Sequence, residues 1–64
     1  DENDAELLLE AGVTSRRELA AKDLIPLGRK IGEITKTYIE EGKMSEDEKP
    51  TIEEISSWIR MAKS

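Results

Sequence analysis

The sequence predicts an all-α fold, a compact bundle of four to five short helices. Three observations carry that reading. Apolar residues recur three and four positions apart, and no stretch sustains a two-residue alternation. Ser15 with Glu18 and Thr51 with Glu54 have the spacing of a capping box, in which each side chain satisfies a backbone N–H at the other residue. Gly12 and Gly42 stand where helical runs stop, and glycine adopts the left-handed turn there at little cost.

The elements follow in order. Asp4 is placed to cap a first helix running to about Ala11, with Leu7, Leu8 and Leu9 as its apolar side and acids near its positive end. Ser15 starts a short second helix that ends near Lys22, with Leu19 and Ala20 inward. Residues 24–41 admit two readings. In one, Asp23 caps a single long helix along which Leu24, Leu27, Ile31, Ile34 and Tyr38 form one stripe, Pro26 being tolerated in the first turn. In the other, residues 24–28 are a hairpin and the helix begins near Gly28. Residues 42–50 read as a charged, mobile loop that offers only Met44 to a core, although Ser45 with Glu48 can nucleate one turn. A final helix runs from the Thr51 cap to about Lys63, with Ile52, Ile55, Ile59 and Ala62 on one face and Trp58 and Met61 beside it. The expected core is Leu8, Val13, Leu19, Leu27, Ile31, Ile34, Tyr38, Ile55, Trp58 and Ile59, with Trp58 its largest contributor.

Composition narrows the chemistry. At 64 residues the chain forms one domain, and a start at Asp1 rather than Met fits a piece of a longer protein. It has no cysteine and no histidine, which excludes disulfides, thiolate chemistry and the usual zinc sites and fits a reducing, cytoplasmic setting. No apolar run has the length of a membrane span. A nucleophile paired with a base is missing, and a core this small leaves little room for a substrate pocket, so the expectation is a protein that is not an enzyme, with no cofactor and no small-molecule substrate. Glu46, Asp47 and Glu48 lack the spaced pattern and glycine of a calcium loop, so no metal site is expected.

The formal charge of −5 is unevenly spread: residues 1–13 carry −5, residues 14–36 carry +3 and residues 37–50 carry −3. The acidic arms oppose nucleic acid, while the basic middle permits local contact with phosphates. Gly28 and Gly32 each cost a helix about 1 kcal/mol relative to alanine. Such a cost implies that another part of the chain packs close or that a ligand approaches.

Ala11-Gly12-Val13-Thr14 with Glu18-Leu19-Ala20 resembles the inter-helix segment of tandem helix-hairpin-helix domains, such as those of archaeal RadA-type recombinases. Leu27-Gly28-Arg29-Lys30-Ile31-Gly32-Glu33 resembles the hairpin signature, with Pro26 where a second glycine is usual. The segment from Pro50 through Trp58-Ile59 to Ala62-Lys63 is similar to the close of a related helical family of unknown function, in the sterile-alpha-motif-like class. The resemblance implies a non-catalytic accessory domain making weak, sequence-independent contacts to a nucleic-acid backbone. Gly28, Arg29 and Lys30 would carry those contacts, with Arg16, Arg17 and Lys36 assisting. The alternative is a docking or structural module that binds a protein through an exposed helix face.

Overall fold

The fold, described here for residues 2–64 from a computed structural model, consists of α1 (Glu2–Glu10), α2 (Arg16–Ala20), α3 (Leu24–Glu40), a single 3-10 turn at Glu46–Glu48, and α4 (Ile52–Lys63). No strand occurs among the described residues. The all-α reading holds. α3 is the spine: α1 and α4 pack against it, and α2 packs against α4.

Both helix-ending glycines do what their positions predict. Gly12 has φ +86° and Gly42 φ +74°. After α1 the Gly12 N–H donates to the Leu9 carbonyl at 3.0 Å and the Val13 N–H to that of Leu8 at 2.9 Å. After α3 the Gly42 N–H donates to Ile39 at 3.1 Å and the Lys43 N–H to Tyr38 at 2.8 Å. These paired bonds define the Schellman turn and satisfy carbonyls that a helix end otherwise leaves open. Lys43 closes the second turn from outside, its ammonium 5.7 Å from the centre of the Tyr38 ring.

The helix starts depart from expectation in detail. α1 is already helical at Glu2, so Asp4 lies inside the helix rather than capping it. Ser15 accepts the Glu18 N–H at 3.1 Å, but the Glu18 carboxylate reaches past Ser15 to the Thr14 N–H at 3.0 Å and to the Thr14 hydroxyl. The expected reciprocal box at α2 is therefore only half formed. Those Thr14 bonds hold the Glu18 carboxyl below the ordinary glutamate range. The box at α4 is complete, with the Thr51 N–H donating to Glu54 at 2.9 Å and the Glu54 N–H to the Thr51 hydroxyl at 3.1 Å. For residues 24–41 the single long helix is the observed reading. Asp23 takes the N-cap position with extended backbone, but its side chain makes no capping hydrogen bond.

The core is one cluster drawn from every part of the chain except α2: Leu7, Val13, Leu27, Ile31, Met44, Ile55 and Ile59. Thr35 is buried with them, its hydroxyl donating to the Gly32 carbonyl at 3.0 Å. Expected members Leu8, Leu19, Ile34, Tyr38 and Trp58 are only half-buried around this cluster. On α1 the inward residue is Leu7, and Leu9 is 61% exposed. The charged loop forms the single turn that Ser45 and Glu48 suggest, and Met44, absent from the expected core, is buried. The turn behind it is pinned by the Ser45 N–H donating to Glu48 at 2.9 Å, with the Ser45 hydroxyl 2.7 Å from Asp47.

Candidate functional site

An open groove of about 450 Å³ lies between α1, α2 and α4, lined by Asp4, Ala5, Leu8, Arg16, Leu19, Trp58, Met61 and Ala62. Helical spacing accounts for the lining. Ala5 and Leu8 are three apart on α1, and Trp58, Met61 and Ala62 are three and four apart on α4, so each set shares one side of its helix. Leu19 comes from α2, which has no fully buried residue of its own. Trp58 is half-buried and forms a groove wall instead of the centre of the core. Met61 beside it is 62% exposed.

Arg16 lines this groove and reaches the end of α4. Its Nε donates to the Ala62 carbonyl at 3.2 Å, and Nη2 donates to Met61 at 3.2 Å and to the Ser64 main-chain oxygen at 2.6 Å. The guanidinium thus caps the C-terminal end of α4, whose carbonyls carry partial negative charge. This contact joins residues 45 to 48 positions apart. Sequence reasoning placed Arg16 among phosphate contacts and missed this role, because the carbonyls belong to a distant helix.

The other expected nucleic-acid residues lie on two helices. Arg29, Lys30 and Lys36 are exposed along α3, and Arg17 is exposed on α2. Arg29, Glu33, Lys36 and Glu40 follow the i, i+4, i+7, i+11 spacing of one helical stripe, so charge alternates along it rather than accumulating. Gly28 lies past the first turn of α3, where its N–H is part of the helix ladder, which begins with the Leu27 N–H donating to Asp23 at 3.2 Å. Residues 24–28 are therefore helix rather than a hairpin. A Cβ built at Gly28 would lie 2.8 Å from Ile52 Cδ1, the far end of a flexible side chain on α4. A Cβ at Gly32 would meet nothing within 4 Å.

Two clefts flank Tyr38, one lined by Glu10, Glu33, Ile34 and Thr37, the other by Asn3, Glu6, Glu10, Lys43 and Met44. Partial burial, then the Glu10 and Glu6 carboxylates, push the Tyr38 phenol up. Lys43, 3.2 Å from Glu41, is held above the ordinary lysine range by that carboxylate. Among the described residues no group of acids has the arrangement of a metal site, and no helix is long and apolar enough to cross a membrane.

No curated protein and no solved structure matches this chain. Its full length, residues 1–64, matches the family described as a domain of unknown function, DUF4332, and the chain belongs to that family.

Proposed function

We propose that this domain is a non-catalytic helical docking module that binds a peptide segment of a partner protein in the groove between α1, α2 and α4. The observation that carries the reading is Trp58, a large aromatic side chain left half-buried beside the exposed Met61 and opposite Leu8 and Leu19. A half-open aromatic wall flanked by aliphatic side chains is the form of a binding hot spot, and a groove between helices suits an amphipathic segment with anchors at i, i+3 and i+4. The net charge of −5 and the alternating stripe on α3 favour this over nucleic-acid contact.

Panning a random linear-peptide display library on the domain tests it. Apolar peptides should be enriched on the wild type and lost on Met61→Lys, a change at an exposed wall position that leaves the core alone. In parallel, duplex and single-stranded oligonucleotides are titrated at low salt. Binding that falls steeply with salt and disappears in an Arg29→Glu, Lys30→Glu variant, without peptide enrichment, would instead establish the backbone-contact role.

A further inference from the structure

We infer that the segment accepted by the groove carries a carboxylate and that Arg16 binds it. The inference rests on the docking reading above and adds the chemistry of the partner. A guanidinium has five N–H donors in a rigid planar fork. In Arg16, Nε and Nη2 are used on the end of α4, while Nη1 makes no hydrogen bond among the described residues. The same side chain lines the groove. The bonds to α4 orient the guanidinium, so the partner has less of a long, flexible chain to immobilise on binding.

Charge points the same way. The main-chain oxygens at the end of α4 engage only Nε and Nη2 of the positively charged guanidinium. Arg60 and Lys63 in the last turn of α4, and Arg17 next in sequence, add the same sign. On the opposite edge the groove presents Asp4. A peptide lying across it fits with an acidic side chain toward the α2–α4 corner, apolar side chains against Leu8, Leu19, Trp58 and Met61, and no acid toward α1. A nucleic-acid phosphate would also satisfy Nη1, but it brings no aliphatic surface to these walls.

The test begins with the best peptide from the library panned on the wild type. Its affinity, and that of the same peptide with its acid replaced by the matching amide, are read from Trp58 fluorescence for the wild type, Arg16→Gln and Arg16→Lys. Thermal melts confirm that each variant is folded. Enriched peptides should place Asp or Glu at a fixed spacing from their apolar pair. Removing that carboxylate should weaken binding to the wild type by about tenfold, the scale of one charge-assisted hydrogen bond. The same change should have no effect on Arg16→Gln, which has lost the charge. If Arg16→Gln does not fold, Arg16→Lys keeps the charge without the fork and should show a reduced carboxylate effect. Peptides that bind with the same carboxylate dependence in wild type and variants overturn the role of Arg16 and leave the docking reading intact. No enrichment on the wild type over Met61→Lys overturns the docking reading itself.

Discussion

Gly28 and Gly32 stand one turn apart on α3 and should respond differently to the same substitution. Alanine at Gly32 adds a methyl group to open space and removes backbone freedom from the unfolded chain, so it should stabilise the domain by about 0.5–1 kcal/mol. Alanine at Gly28 meets Ile52 Cδ1 at 2.8 Å. Ile52 is 47% exposed and its terminal methyl can swing aside, but the swing gives up its own contact with Gly28. Gly28→Ala should therefore gain less than Gly32→Ala in chemical denaturation, and a larger gain at Gly28 would show that the contact holds nothing. The helix-ending glycines were legible in the sequence because each closes a periodic run. For Gly28 the sequence left close packing and ligand approach open, and the neighbour, Ile52, comes from another helix. Trp58 misled for a related reason. Its spacing puts it beside the inward face of α4, and only the placement of α1 and α2 decides whether that flank is closed or open.

Among the elements, the segment between α3 and α4 departs furthest from its reading. Its charge suggests a mobile loop, and its ends were read correctly from Gly42 and Thr51. It nevertheless carries Met44 into the core, in one cluster with Leu7, Leu27, Ile31 and Ile55. A single apolar residue in a polar stretch gives no periodicity, so its burial was not legible. The consequence is an order of costs opposite to the one composition suggests. Met44→Ala should destabilise by about 2–5 kcal/mol, the range for emptying a buried site of this size. Thr51→Ala removes one cap bond and should cost about 1 kcal/mol. Urea midpoints of the two variants give the comparison directly, and a milder effect for Met44→Ala would mean that the loop floats free of the core. The half-formed box at Ser15 teaches a similar point at smaller size. The spacing of Ser15 and Glu18 correctly marks a helix start, but which backbone N–H the carboxylate chooses depends on the turn that brings Thr14 alongside.

The molecule as a whole should show a stability profile that is flat through neutrality and falls at both extremes of pH. The chain has no histidine and no cysteine, so none of its side chains ordinarily titrates between about pH 6 and 8. On the acid side, Glu18 is held low by Thr14, and Asp47 and Glu48 are held low by Ser45. A carboxyl whose folded value is depressed binds fewer protons when folded than when unfolded. Its stabilising contribution is present above the unfolded value, near about pH 4, and is lost as pH falls through the folded one. On the alkaline side the sign is reversed. Tyr38 and Lys43 are both pushed up in the folded state, so their contributions are complete below the unfolded values, near about pH 10, and are lost as pH rises through the folded ones. All five groups lie at turns and helix ends: Glu18 at the start of α2, Tyr38 and Lys43 at the Schellman turn after α3, and Asp47 and Glu48 in the 3-10 turn. Acid and alkali thus attack the connections while leaving the apolar cluster untouched. Melting temperatures followed by circular dichroism should be level from pH 6 to 8 and decline below about pH 4 and above about pH 10. Thr14→Val, which removes the hydroxyl bond to Glu18, should make the acid decline shallower and leave the alkaline side unchanged. A slope through neutrality, or an acid limb that Thr14→Val does not alter, would place the titrating groups elsewhere in the fold.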